Sequence, residues 1–174
     1  MTPVQVRLAE DADLAAILDI YNHAVATTTA VFDYNPHTLE MRREWLRAKQ
    51  AAHFPVLVAV VSDDVAGFAT YGPFRARPAY KFTIENSVYV AERVRRRGVA
   101  RTLMHSLLAD ARAHEYHAVI AGVVADNVPS LRLHESLGFV EVAHFREVGY
   151  KFGRWLDLKF LELLLATPRL PTGP

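Results

Sequence analysis

The chain has no cysteine in its 174 residues. That absence excludes disulfides, zinc–thiolate sites and any thioester formed on the protein itself, so acyl chemistry here is direct transfer or uses another nucleophile. No run approaches the roughly 18 to 20 apolar residues of a membrane span. The opening Met1-Thr2-Pro3-Val4-Gln5-Val6-Arg7 lacks the basic-then-apolar pattern of a signal peptide, so a cytoplasmic location is expected. Lysine is scarce: it stands only at Lys49, Lys81, Lys151 and Lys159, and arginine supplies the other cationic side chains. With a net charge of +1 and no basic stretch beyond Arg93 to Arg101, no nucleic-acid partner is expected. No internal repeat or second domain is visible. What is present, 51% hydrophobic and 22% charged residues, suits one globular domain that needs no covalent staples. Residues 1–166 are read as that domain and 167–174 as a disordered tail.

Hydrophobic periodicity orders the elements. Val4 to Leu8 alternates apolar and polar residues as a strand with one buried face does. Asp11 or Asp13 can cap a helix carrying Leu14, Ile17, Leu18, Tyr21 and Val25 at helical spacing. Threonine-rich 27–37, ending near Pro36, reads as a surface loop, and Thr38 as the cap of a second helix that stops before Pro55. Val56 to Val61 and Val65 to Tyr71 form a hairpin about Ser62-Asp63-Asp64. A loop of aromatic and cationic residues, 72–80, leads into a strand from Phe82 to Val90. The helix carrying Ala100, Leu103, Met104, Leu107, Leu108 and Ala111 is the clearest amphipathic one. Ala118 to Ala125 is continuously apolar, as a strand buried on both faces would be. A short helix opens at Asn127 and closes at Gly138, with Leu133 and Leu137 toward the core and Ser130 and His134 on a neighbouring face. Phe139 to Val148 and Leu156 to Leu165 are the last strands, separated by 149–155.

The organising stretch is Ile84 to Thr102: strand, arginine-dense turn, helix. A helix start carries unpaired N–H groups and the positive end of the macrodipole, so an anion there gains hydrogen bonds and charge complementarity together. Gly98 and small Ala100 let backbone come close to that anion. This is a phosphate cradle. It lacks the Gly-Lys-Ser/Thr of a Walker loop and the third glycine of a dinucleotide fingerprint.

Arg95-Arg96-Arg97-Gly98-Val99-Ala100 fits Arg/Gln-x-x-Gly-x-Gly/Ala and resembles the pyrophosphate loop of the GNAT superfamily of N-acetyltransferases. Asn127 to Phe139, with Asn-x-x-Ser, a short helix and Gly-Phe, resembles its second signature. The segments 74–80, 85–90, 132–135 and 149–157 look like the phosphinothricin and methionine sulfoximine N-acetyltransferase branch. The resemblance spans nearly the whole chain. It implies an α/β (α+β) GNAT fold, a central mixed, mostly antiparallel twisted sheet with a splayed strand pair, flanked by helices. It also implies acetyl-CoA as co-substrate without a metal, a small-molecule amine as acceptor, and a homodimer.

For the site, the resemblance implies that the backbone of Val88, Tyr89 and Val90 meets pantetheine, and that Arg95, Arg96, Arg97, Gly98, Val99, Ala100 and Arg101 hold the pyrophosphate. Asn127 and, more weakly, Ser130 are expected on the pantetheine arm. An amino-acid amine is mostly protonated at neutral pH, so a general base is needed, and Glu85 is the candidate; pairing with Arg75, Arg77 or Lys81 is its structural alternative. His134 stands seven residues after Asn127, where many superfamily members carry a tyrosine, and can act as acid or base or serve structure only. Arg75 and Arg77 suit acidic substrate groups through their guanidinium forks. Phe32, Phe74 and Tyr80 are candidate pocket walls. Lys151, Trp155 and Asp157 match the branch and belong either to the site or to a dimer contact.

Overall fold

A computed structural model describes residues 3–167. The element order is β1 (Gln5–Leu8), α1 (Leu14–Thr27), α2 (Leu39–Ala51), β2 (Val56–Val61), β3 (Asp64–Pro73), β4 (Thr83–Val90), α3 (Val99–Ala113), β5 (Ala118–Val124), α4 (Val128–Glu135), β6 (Val140–Lys151) and β7 (Arg154–Leu164). The seven strands form one sheet in the order β1-β2-β3-β4-β5-β7-β6. Every pairing is antiparallel except β4 with β5. The mixed, mostly antiparallel sheet that the resemblance implied is therefore the one observed.

Side-chain alternation assigns the helices to the two faces. On β3 and β4, Phe68 and Tyr89 stack at 5.0 Å on one face, where Trp45 of α2 and Tyr21 of α1 meet them edge-on. Tyr71 and Asn86 point the other way, Tyr71 bonding Asp110 and Asn86 lying by Met104, both on α3. Leu103, Met104, Leu107 and Leu108 are the buried stripe of α3. Each contributes about 1.5–3 kcal/mol by leaving water. The β2–β3 hairpin closes through Ser62 and Asp63, at φ of 52° and 67°, the left-handed pair that matches strand twist.

Three local readings are corrected. Leu8 is exposed, at the end of an edge strand. Asp13 precedes α1 but its carboxylate does not cap it; Arg7 holds both oxygens at 2.7 and 2.8 Å, and the N–H of Glu10 takes one as well. The last two strands are longer than expected. They run to a two-residue turn at Phe152 and Gly153, with φ of 50° and 73°, so most of 149–155 is ladder rather than loop. Thr38 caps α2 as read, its Oγ1 accepting from the N–H of Met41. Of the expected tail, Thr167 lies within the described residues, 2.8 Å from His117 Nδ1, and 168–174 lie outside them.

Candidate active site

β4 and β5 pair for three residues only, Thr83 with Ala118, Ile84 with Val119 and Glu85 with Ile120. Beyond Glu85, β4 continues beside β3 and β5 beside β7, so the two strands part. The fork opens a cleft of about 1030 Å³ between Asn86–Val90 and Ala121–Val124, bounded by the start of α3 and by α4. Val88, Tyr89 and Val90 line it with backbone that has no strand partner on that side. The Tyr89 ring itself turns to the opposite face, against Phe68 and Tyr21.

At one end lies the cradle. The first backbone bond of α3 runs from the Thr102 N–H to the Gly98 carbonyl, which leaves the N–H groups of Val99, Ala100 and Arg101 without acceptors inside the helix. Gly98 adopts φ 82°, where a side chain is strained, and a Cβ there would meet nothing within 4 Å. Glycine is thus needed for the backbone turn, and the space above it is open. Arg95, Arg96 and Arg101 line the cleft. Arg101 also donates to Ser136 Oγ at 3.0 Å, tying α3 to the end of α4. Arg97, expected in the cradle, is exposed and stands outside the lining; in the turn before α3 its neighbour Arg96 takes φ 62°. A pyrophosphate fits this donor set: orphan N–H groups, three guanidinium groups and open room.

The other end is the floor formed by Asn86 and His134. Asn127 caps α4, its Oδ1 accepting from the Ser130 N–H at 3.3 Å, and both residues line the cleft. His134 is 2% exposed. Its Nδ1 is 2.9 Å from the Ser130 carbonyl and its Nε2 3.0 Å from Asn86 Nδ2. Burial lowers its affinity for a proton, and the Ser130 bond acts the other way without overcoming it. Both ring nitrogens are engaged, so the residue that the sequence allowed as acid, base or structural support is a buried, bonded ring in the lining of the cleft.

On the far face of β4 stand Glu85, Ser87 and Tyr89. Glu85 is the last paired residue before the fork and is half-buried; loss of water raises its carboxyl above the ordinary value, and the Arg75 charge pulls it partly back. Its Oε1 reaches across to Gly122 of β5, where a Cβ would stand only 3.1 Å away. Gly122 pairs with Phe160, whose ring is edge-on to Phe74 at 6.2 Å and to Phe145 at 5.7 Å; Phe74 is edge-on to Tyr80 at 5.7 Å. Arg75 lies over Phe74 with Cζ 4.1 Å from the ring centroid. A chain of contacts thus links Glu85 and Gly122 through Phe160 and Phe74 to Arg75 and Tyr80. Arg77 is exposed at the start of the turn Pro78–Tyr80, as Arg75 is exposed just before it. Phe32 sits elsewhere, its ring directly over Gly149 of β6.

Several contributors were not anticipated. Gly122 was readable as the one interruption of an apolar strand, but Phe160 and Phe145 reach the site through long-range pairing that leaves no local mark. Lys151 is 4% exposed and donates to the carbonyls of Val25, Thr28 and Val31 at 2.7, 3.0 and 2.7 Å. It therefore fastens the 28–38 loop, from which the Tyr34 hydroxyl also donates to the Tyr150 carbonyl. Asp157 braces the irregular part of β6, bonding His144 and the Glu147 N–H, each at 2.9 Å. Trp155 is exposed against Tyr150.

Residues 6–159 match the acetyltransferase (GNAT) domain family. The chain is 41% identical over 160 residues to an L-methionine sulfoximine/L-methionine sulfone acetyltransferase of Salmonella typhimurium, covering 92% of this chain and 94% of that one. It is 40% identical over 176 residues to a phosphinothricin N-acetyltransferase of Streptomyces viridochromogenes, covering 99% and 94%. Among solved structures, the acetyltransferase yncA of Salmonella typhimurium, described with its cofactor acetyl-CoA, superposes with a TM-score of 0.95 at 39% identity, covering 99% of this chain and all of that one (100%).

Proposed function

The chain belongs to the GNAT acetyltransferase family, and from that premise we propose that it acetylates the α-amine of a small amino-acid analogue of the methionine sulfoximine, methionine sulfone or phosphinothricin type. The enzyme class and the donor, acetyl-CoA, follow from the family; the acceptor and the residue roles are assigned from the site. The observation that carries the assignment is Glu85: a half-buried carboxylate with a raised pKa, at the fork, faced by Arg75 and an aromatic wall.

Acetyl-CoA, when bound, supplies a thioester carbonyl that an uncharged amine attacks, the C–N bond forming as the C–S bond breaks. Arg95, Arg96, Arg101 and the N–H groups of Val99 to Arg101 hold its pyrophosphate, and the unpartnered backbone of Val88 to Val90 aligns its arm. Asn127 and Ser130 form the α4 rim of that channel. Glu85 takes the proton that the acceptor's ammonium must lose, and a carboxyl held above its usual range is better matched to that task than an exposed one. Arg75 meets the acidic group of the acceptor, and Phe74, Tyr80 and Phe160 enclose its side chain. His134, bonded at both nitrogens, is assigned to shape the floor.

The molecule is further assigned as a homodimer. β6 is the sheet's outer strand, and Val140, Val142, Phe145, Val148 and Tyr150 along it are exposed, an edge that invites a second copy. A cytoplasmic site of action belongs to the same reading, since the donor is a cytosolic metabolite.

Thiol release from acetyl-CoA, measured against methionine sulfoximine, methionine sulfone, phosphinothricin, common amino acids, polyamines and short peptides, tests the acceptor. Saturable release with one of the first three is expected. Turnover confined to peptides or polyamines overturns the acceptor assignment and leaves the family untouched.

A further inference from the structure

Lys49 is a cation that the chemistry described so far does not use. It stands in the last turn of α2, half-buried, and its ammonium donates to the Tyr71 carbonyl at 2.7 Å. Lys151 meets three carbonyls; Lys49 meets one, and no acid pairs with it among the described residues. Loss of water brings its pKa down to about 8, which leaves it mostly charged at neutral pH.

A missing side chain fixes where that ammonium sits. Gly72 of β3 pairs with Glu85 of β4, so both belong to the face of the sheet that carries Phe68 and Tyr89 beneath α2. A Cβ on Gly72 would lie 2.9 Å from Lys49 Nζ and, its chain neighbours apart, within 4 Å of nothing else. The ammonium therefore occupies the slot over Gly72. Paired residues on one face stand about 4.5–5.5 Å apart at their Cβ atoms, so this slot adjoins Glu85. Glu85 turns its carboxylate the other way, over Gly122 of β5. Base and ammonium thus lie over two glycines on either side of β4, two strand spacings or roughly 10 Å across the sheet. Phe74, two residues after Gly72, carries the aromatic wall from there toward Phe160.

Methionine sulfoximine, methionine sulfone and phosphinothricin share more than an amine and a carboxylate. Each carries, two methylenes beyond the α-carbon, a tetrahedral sulfur or phosphorus bearing oxygen, a strong hydrogen-bond acceptor, where methionine itself has a thioether, a weak one. With the amine at Glu85, that side chain is long enough to cross above β4 and bring its oxygen to Lys49. We propose, on the same reading of the acceptor, that Lys49 is a specificity-determining residue. Its ammonium, seated over Gly72, receives the oxygen of the sulfone, sulfoximine or phosphinate group, so that the site selects these side chains over a bare thioether.

Steady-state kinetics and calorimetry on the full chain test this. The native protein should show a higher kcat/KM for methionine sulfone and phosphinothricin than for methionine. Lys49→Met removes the charge, and the Thr70 hydroxyl, 3.2 Å away, still serves the Tyr71 carbonyl. It should lower kcat/KM for the sulfone and for phosphinothricin about 10-fold to 100-fold, the range of a charge-assisted hydrogen bond, and for methionine far less, so that the preference collapses. Gly72→Ala should narrow the same preference from below, since its Cβ would arrive 2.9 Å from Nζ and push the ammonium from its slot. Calorimetry of methionine sulfone into protein saturated with CoA, where no turnover occurs, should show the same loss of affinity in Lys49→Met. A native protein that treats sulfone and methionine alike, an equal loss on both in Lys49→Met, or a Gly72→Ala protein that keeps its full preference overturns the role of Lys49 and leaves an amino-acid acceptor standing. If the native protein acetylates none of these compounds, the acceptor reading itself fails and the role falls with it.

Discussion

Glu85 sits where β4 parts from β5, and the water it loses there keeps its carboxyl above the ordinary range although Arg75 pulls it partly back. Only the ionised form can accept a proton from the acceptor amine. The rate must therefore fall as pH drops through that raised value, and the acid limb of kcat/KM belongs above the usual carboxylate pKa, with the acceptor's own amine responsible for any further rise toward alkaline pH. Glu85→Gln keeps shape and loses the base. It should lower kcat/KM for the acceptor about 10² to 10⁴-fold, abolish the acid limb, and leave acetyl-CoA affinity as it was; a pH–rate series with direct binding measurements checks all three. An unchanged limb would move the base elsewhere. Gly122→Ala probes the same carboxylate from the other side, because its Cβ would arrive 3.1 Å from Oε1 and 3.2 Å from Phe160 Cε1. Both are side-chain atoms that can shift, so the expected result is a stable protein with a misplaced Glu85, seen as a loss of kcat with little change in Tm.

At the scale of elements, the far hairpin acts as a clasp. Lys151, near the tip of β6, spends all three of its hydrogens on carbonyls at the end of α1 and in the following loop, and Tyr34 of that loop bonds back to Tyr150. Lys151→Met fills the same space but leaves three buried carbonyls without their donor, at a cost of about 3 kcal/mol. Chemical denaturation should report that loss, and hydrogen exchange should quicken across residues 25–38 while β5 stays protected. Uniform loosening of both segments would mean that the lysine stabilises the whole molecule rather than the loop. Elements of this kind mark the boundary of what can be read from a chain. The cradle was legible because strand, arginine turn and Gly98 are local, and their spacing carries their geometry. The clasp was not, because a lysine among aromatics looks like surface until the strand that bears it is known to pass beneath a loop more than a hundred residues earlier. His134 shows the same limit: its position was legible, but its burial against Asn86 depends on a contact between α4 and β4.

For the molecule as a whole, the order of strands and helices followed from periodicity and turn residues, whereas the fork is a property of the assembled sheet. The resemblance implied a splayed pair, but nothing in the apolar run Ala118 to Val124 itself announces that β4 will accompany it for three residues and then leave. The same sheet has an unfinished side. β6 is exposed along nearly its whole length, and its exposed residues include Val140, Val142, Phe145, Val148 and Tyr150, with Trp155 across the hairpin. An outer strand of this length with so many apolar side chains is a pairing and aggregation liability unless something covers it. A second copy of the chain is the cover proposed, and it would explain why β6 has no proline and keeps its one lysine, Lys151, buried rather than along the exposed edge, where such residues commonly blunt free edges. Sedimentation at micromolar concentration should give twice the chain mass of 19.5 kDa. Val142→Glu with Val148→Glu should shift the protein to monomers, since two carboxylates buried without partners oppose association strongly. A native protein that sediments as a monomer, or a double variant that still sediments as a dimer, would place the contact away from β6.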